Sequence, residues 1–457
     1  MAAIAMENKR KWIYAKKPKG IWFQRRQWVG YTLLLIFFVL PFIKIGEHPM
    51  LMLNVVERKF SIFGTLFYPQ DLYIFVFGMM IMLVAIVLIT AMAGRVWCGW
   101  ACPQTIFMEL VFRRIEYWIE GDWQQQRKLN AGPDTDARAW KKLAKHSIFL
   151  LLSFIIANLF LAYIIGVDAL WQIIREPVEQ HLIGFLSLIV FTLVFYGVFA
   201  HLREIVCTTI CPYGRLQSVL LDESTVTVAY DHRRGEPRGK QQRHVDAHHL
   251  KGDCVDCKLC VHVCPTGIDI RDGIQLECVN CTACVDACDA VMLKLQKPTG
   301  LVGFYSAATL EGDAAVKSKA VSVRTLAYAG VLIALSIGFA FLLANRSIID
   351  ARLLRATGSS YQLRADGTVS NLYTLELTNK SGKDIPFMVS SEDSTVLVQR
   401  VNVIDSLKRD GTAMLSFFII RPKHSIQQYK SEVIVAIMSN NKKIKSLKTT
   451  FIAPVAM

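Results

Sequence analysis

Residues 72–94, LYIFVFGMMIMLVAIVLITAMAG, contain no charged side chain. A helix of about 20 apolar residues spans the roughly 30 Å hydrocarbon core of a bilayer. Lipid accepts such a helix because every backbone polar group is satisfied within the segment; in a soluble protein the same run would need burial on all sides. Four further apolar runs of similar length lie at 28–45, 146–166, 182–200 and 325–344. The chain therefore reads as a membrane protein with five helical spans. The run at 28–45 is not a cleaved leader, because it is too long, charged and polar residues precede it for too far, and no small-residue cleavage site follows.

The charge pattern supports the same class and orients it. The formal charge is +15, with 19% of residues charged. Basic residues cluster beside the apolar runs, which favours anionic lipid over nucleic acid as their partner. Lys9, Arg10, Lys11, Lys16, Lys17, Lys19, Arg25 and Arg26 precede the first run, and the 95–145 loop is equally basic. The intervening loop has only Arg58 and Lys59, and the 167–181 loop only Arg175. Lys and Arg concentrate on the cytoplasmic side, so the expected topology is N-in, C-out in a bacterial inner membrane.

The predicted organisation has five parts. A basic cytoplasmic N-terminus occupies 1–27, and a four-helix transmembrane region 28–215. A cytoplasmic linker and ferredoxin domain occupy 216–324 (core 250–296), followed by a fifth span at 325–344 and a periplasmic domain at 345–457. In that last part, segments such as SNLYTLELTN, AMLSFFIIRP and SEVIVAIMS alternate in polarity and are separated by polar turns. Such alternation predicts half-buried strands of an all-β immunoglobulin-like sandwich. This domain has no cysteine and no catalytic cluster, and reads as a docking module. The 231–249 linker is basic and holds His232, His244, His248 and His249; it reads as solvated or facing lipid headgroups rather than as a metal site.

Ten of the twelve cysteines lie in 201–324. Cys254, Cys257, Cys260 and Cys264, followed by Pro265, have the C-x2-C-x2-C-x3-C-P spacing of bacterial ferredoxins, and Cys278, Cys281, Cys284 and Cys288 repeat it. Two-residue spacers let one loop supply three corners of a cubane, while the fourth cysteine of each run ligates the other cluster. The expected ligand sets for two [4Fe–4S] clusters are Cys254, Cys257, Cys260 and Cys288, and Cys278, Cys281, Cys284 and Cys264. Zinc ribbons use paired rather than tripled thiols, and disulfides are disfavoured in a reducing cytoplasm. Asp289 stands where the second run would usually have proline.

The remaining thiols follow the second and fourth runs as Cys98-GWA-Cys102-Pro103 and Cys207-TTI-Cys211-Pro212. On a helix an i, i+4 pair shares one face, about 6 Å apart along the axis, and the proline is expected to end or redirect the helix. Both pairs lie at one membrane depth, so four thiols are expected to converge. Soft thiolates suit Cu(I), zinc or an iron–sulfur cluster. Arg95, Trp97 and Trp100 on one side, and His201 and Arg203 on the other, flank the pairs.

Together GRVWCGWACPQTIFMELVFRRIE, REIVCTTICPYGRLQ, the double ferredoxin run ending CVDACDAVM, FSIFGTLFYPQDL and the β-rich tail resemble the cytochrome c oxidase accessory protein family, called CcoG, FixG or RdxA. Related C-x3-C-P elements occur in membrane polyferredoxins similar to NapH and NosR. The resemblance implies a cupric reductase that assists assembly of a cbb(3)-type oxidase, with copper held by Cys98, Cys102, Cys207 and Cys211. It implies copper-delivery proteins and oxidase subunits as partners; a homo-oligomer is compatible with it. The competing functions are a quinol-linked electron-transfer subunit and a non-redox scaffold or metal sensor. No dinucleotide-binding glycine loop is present, which leaves a cytoplasmic protein or a quinol as electron donor.

Overall fold

The computed structural model describes residues 12–46, 48–54, 59–239, 252–311, 322–347, 349–356, 360–381, 383–393, 395–402, 404–426, 428–439 and 442–454. The chain forms two compact units, one from Met1–Arg58 with Tyr73–Phe339, the other from Lys59–Leu72 with Ala340–Met457.

Five long helices are α1 (Ile21–Val39), α2 (Leu72–Ala93), α3 (Asp136–Ile165), α4 (Val178–Leu202) and α5 (Val323–Ala344). Among the described residues, α2 to α5 are long and apolar enough to cross a membrane. Ile333, Ile337 and Phe341 on α5 and Met82 and Leu83 on α2 are exposed, an arrangement that suits lipid rather than water.

The first apolar run departs from expectation. Its helix starts seven residues early, at Ile21, and ends at Val39; Pro41 lies in the 3₁₀ turn that follows, and Lys44–Ile45 pair as a short strand. The early turns face protein: Arg26 is buried and its Nε donates to the Gly99 carbonyl at 2.7 Å. Only the later part of α1 is continuously apolar, which is why four helices rather than five pass on length and composition. Helix α3 also begins early, capped by Thr135, whose hydroxyl accepts from Arg138 N–H at 3.4 Å.

The second unit is a sandwich. Its strands are β1 (Ile349–Arg355), β2 (Thr368–Asn379), β3 (Met388–Ser391), β4 (Leu397–Arg400), β5 (Thr412–Pro422), β6 (Lys430–Ser439) and β7 (Lys442–Ile452). One sheet runs β4-β5-β2-β1, the other β3-β6-β7. Register places Tyr373 opposite Phe417 and Leu375 opposite Leu415. These four side chains, with Val435, Ile437 and Phe451 from the other sheet, are fully buried in one core.

The segment ahead of α2 belongs to this unit. Asp71, buried, is bonded by Lys380 Nζ at 2.7 Å and by Arg346 Nη2 at 2.9 Å. The Tyr68 hydroxyl donates to the Asp410 carbonyl at 2.8 Å.

Candidate redox site

The two ferredoxin runs wind alike. Asp256 and Lys258 in the first run have φ of 50° and 57°; Asn280 and Thr282, at matching positions of the second, have φ of 51° and 62°. Non-glycine residues in this region cost roughly 1–2 kcal/mol each, a strain that persists where surroundings over-determine it. Left-handed residues within such loops can turn successive backbone N–H groups into a concavity that suits an anionic iron–sulfur centre.

Two cavities lie inside these loops. Cys254, Cys257, Cys260 and Cys288 line one. Cys264, Cys278, Cys281 and Cys284 line the other, which Cys260 also borders. Each cavity thus takes three cysteines of one run and the last of the other. Burial pushes the Cys278 thiol up to about 12 and Cys281 to about 11; coordination replaces such protons by metal. Cys257 is exposed, whereas Cys281 is buried. The Asp289 carboxylate accepts the Gly300 N–H at 2.8 Å, so the position lacking proline is tied down.

The N-terminal segment docks on this module. Lys16 N–H donates to the His262 carbonyl at 2.7 Å. The Asp286 carboxylate accepts from Trp22 N–H at 3.1 Å and Phe23 N–H at 2.7 Å, taking two donors at the start of α1. Gly20, with φ of 149°, leaves room for it, since a Cβ there would lie 2.2 Å from the Asp286 carboxyl carbon.

The two C-x3-C-P elements repeat one another but do not form the continuous helix faces expected. Cys98 lies in Val96–Trp100 and Cys207 in the π-helical turn Val206–Ile210. In each element the second cysteine has left the helix, with φ and ψ of −64° and 125° at Cys102 and −68° and 117° at Cys211. Cys102 N–H donates to Trp97 O at 2.9 Å and Cys211 N–H to Val206 O at 2.7 Å, both five residues back. Each proline starts the next helix instead of ending the previous one, as its fixed φ and missing N–H favour.

Arg95, 4% exposed, ties these elements to the ferredoxin module. Its guanidinium donates to Gly214 O at 3.0 Å, beside the second pair, and to Leu276 O, beside Cys278. Trp100 Nε1 donates to Asn280 O at 3.2 Å. Cys98 shares a buried apolar cluster with Val279 and Cys281. Burial pushes Cys98 up to about 12 and Cys207 to about 11; Arg95 works against it, while the neighbouring pair thiols reinforce it.

Behind the second pair lies a buried charge network. Glu116 accepts from Arg203 at 2.7 and 2.9 Å, and Lys145 reaches Glu120 at 2.8 Å. Sequence reasoning missed Glu116, Lys145, Asp286 and Asn280; charges inside otherwise apolar segments were the available signal for the first three, and nothing marked Asn280. His201 stacks on His146, ring centroids 6.4 Å apart, and meets Tyr196 edge-on. Of the linker histidines only His232 is described; His244, His248 and His249 lie outside the described residues.

Apolar spanning helices joined to a doubled cysteine cradle define a membrane-associated iron–sulfur electron-transfer protein. Residues 202–307 match a family described as a 4Fe-4S dicluster domain, and 75–124 one described as a 4Fe-4S binding domain. Residues 339–454 match the Ig-like fold at the C-terminus of FixG. Protein RdxA of Cereibacter sphaeroides is 32% identical over 84% of this chain and 83% of its own length. RdxB of the same organism is 33% identical over 85% and 84%. The nitrogen fixation protein FixG of Rhizobium meliloti is 32% identical over 91% and 87%. The chain belongs to the FixG/RdxA family.

Proposed function

We propose that this protein is a membrane-bound cupric reductase serving assembly of a cbb(3)-type oxidase. Two [4Fe–4S] clusters would be held by Cys254, Cys257, Cys260 and Cys288, and by Cys264, Cys278, Cys281 and Cys284. When bound, they supply one-electron transfer. The observation carrying the reading is the Arg95 bridge, which joins both C-x3-C-P elements to the loop around Cys278. The exposed Cys257 end faces a donor, and the buried end abuts the four thiols. Cys98, Cys102, Cys207 and Cys211 retain Cu(I), whose softness thiolates match.

The proposed topology is N-in and C-out in a bacterial inner membrane, with α1 as the fifth span. Supporting it, residues 16–23 bond to the ferredoxin module, whereas Asp71 bonds within the sandwich unit. Copper-delivery proteins and oxidase subunits are the proposed partners.

A second reading has a specific observation behind it. The 75–124 match to a 4Fe-4S binding domain contains only Cys98 and Cys102 as cysteines. On that reading the paired thiols hold a further cluster, and the protein is a conduit, as in NapH/NosR-like quinol-linked electron transfer. One experiment separates the two: anaerobically reduced protein is given Cu(II), and iron, sulfide and retained Cu(I) are counted. Replacing Cys102 and Cys211 with serine should abolish copper retention and leave both ferredoxin clusters spectroscopically intact. Loss of iron in that variant, or undiminished copper reduction and retention, would refute the copper site.

A further inference from the structure

Two arginines are buried behind the loop that supplies Cys278 and Cys281: Arg26 is 2% exposed and Arg95 4%. Arg26 Nε donates to the Gly99 carbonyl at 2.7 Å. Gly99 packs so closely on that loop that an added Cβ would meet the Val279 and Asn280 carbonyl oxygens at 2.3 and 3.1 Å. Both of those residues lie between Cys278 and Cys281. Arg95 reaches the same loop through the Leu276 carbonyl, two residues before Cys278. Burial raises the Cys281 and Cys278 thiols; Arg26 works against it at Cys281, and Arg95 at Cys278.

Among the described residues, the bonds these two guanidinium groups make all go to carbonyls: Gly99 for Arg26, and Leu276 and Gly214 for Arg95. Arg26 Nη2 and Arg95 Nε are buried with no partner there. The acids nearby are engaged elsewhere. Asp286 takes the Trp22 and Phe23 N–H groups, and Glu109, which raises Cys281, pairs with Arg113 at 2.7 Å. A buried charge without a counter-ion is costly, so two such cations on one loop point to an anion that the side chains do not supply. A thiolate-bound iron–sulfur centre is that anion.

The cavity of Cys254, Cys257, Cys260 and Cys288 is arranged differently. Arg271 and Lys258 stand on its wall. Arg271 is neutralised by two carboxylates, Asp269 at 2.6 and 2.8 Å and Asp256 at 2.5 Å. Lys258 is exposed, where water weakens its field. A cluster becomes more negative when reduced, and net charge and hydrogen bonds near its sulfurs set its potential. Burial alone opposes that added charge. A buried cation without a counter-ion favours it, and the same low dielectric strengthens the attraction.

We propose that Arg26 and Arg95 give the cluster of Cys264, Cys278, Cys281 and Cys284 the higher potential of the two, so that electrons entering at the exposed Cys257 end run downhill toward the paired thiols. The inference rests on the two-cluster reading above and not on copper. Each transfer moves one electron and no proton: the outer centre is oxidised by one electron and the inner one reduced by one. A guanidinium has N–H donors and no acceptor, so both arginines act as positioning residues, through charge, and ligate no iron.

The test is a potentiometric titration of the full-length protein with anaerobically reconstituted clusters, followed by electron paramagnetic resonance, with iron and sulfide counted in the same samples. Arg26→Met removes the charge and keeps an apolar stem, whereas Arg26→Lys keeps the charge. Wild type should show two one-electron waves. R26M should lower the higher wave by about 59 mV or more, a tenfold change in a one-electron equilibrium, and R26K should restore most of it; the lower wave stays in place. Asp256→Asn acts at the other cluster: its φ of 50° suits asparagine, and losing a carboxylate from Arg271 should raise the lower wave. A higher wave unmoved in R26M, a shift of the lower wave instead, or R26K as low as R26M, as packing alone predicts, overturns the proposal. Should R26M lose iron, D256N decides alone, and a lower wave that it leaves unmoved overturns the proposal. Eight iron with a single wave in wild type overturns the proposal and leaves the two-cluster reading standing; four iron overturns both.

Discussion

Replacing Gly99 with alanine probes the contact between the first thiol pair and the ferredoxin loop. The added carbon would lie 2.3 Å from the Val279 carbonyl oxygen, where ordinary contact begins at 3.4 Å. The obstacle is backbone, and Asn280 next to it already holds a positive φ, so no flexible side chain can yield. The 278–281 loop must retreat by about 1 Å, and overpacking of this kind costs about 1–3 kcal/mol. Each cluster keeps its full ligand set, so iron and sulfide should stay at eight each. Electron delivery to the thiols should slow by about 10- to 100-fold, since misplacement by about 1 Å can cost that much. Gly184→Ala on α4 is the control, because nothing lies within 4 Å of its added carbon. The assay is stopped-flow reoxidation of reduced clusters by Cu(II), with iron and sulfide analysis of the same samples. Reoxidation in G99A as fast as in G184A and wild type would refute the argument that this contact carries the electron path.

Four other outcomes are expected. Anaerobic reconstitution should yield eight iron and eight sulfide per chain, with Cys257→Ser and Cys281→Ser each disturbing a different four-iron spectrum; zinc in place of iron would overturn the cradle assignment. A C-terminal reporter that works only outside the cytoplasm should be active, and an inactive one would remove α1 or another helix from the spans. Glu116→Gln leaves the Arg203 guanidinium buried without its carboxylate and should destabilise the protein by about 3–5 kcal/mol, read as lost folded yield in detergent. In the sandwich, burial tends to raise the Asp350 carboxyl, but Lys445, 3.0 Å away, outweighs it and holds it below the usual range. A depressed carboxylate contributes stability above its unfolded value, about 3.9, and that contribution is lost as pH falls through the lower folded value. Asp350→Asn should therefore flatten the acid limb of the melting curve below about pH 4.

Much of this architecture was legible because it is locally encoded. Thiol spacing determines which cysteines one loop can gather; Cys254, Cys257, Cys260 and Cys288 border one cavity, and Cys260, Cys264, Cys278, Cys281 and Cys284 the other. Alternation in TLELTN and LSFFII marked strands whose inward residues are now Leu375, Leu377, Phe417 and Ile419. The failures are tertiary. Nothing in C-x3-C-P spacing reveals that Cys102 and Cys211 close five-residue turns, because helix periodicity assumes bonds to the fourth residue back. The true start of α1 was hidden because Arg25 and Arg26 look like a cytoplasmic flank, yet Arg26 is buried against Gly99. Arg95 was visible as a neighbour of the thiols, but its bonds to Leu276 and Gly214 span stretches of chain that no periodicity connects.

The bond between Asp71 and Lys380 joins residues 309 positions apart. A ribosome adding about 5–20 residues per second takes about 15–60 s to bridge that distance. For most of that interval the loop ahead of α2 has been made while neither Arg346, 275 positions on, nor Lys380 exists to neutralise its carboxylate. Tyr68 likewise waits for the Asp410 carbonyl. The segment ahead of α2 is therefore completed only when the sandwich is, and a chain truncated before residue 346 would keep Asp71 permanently without either cation.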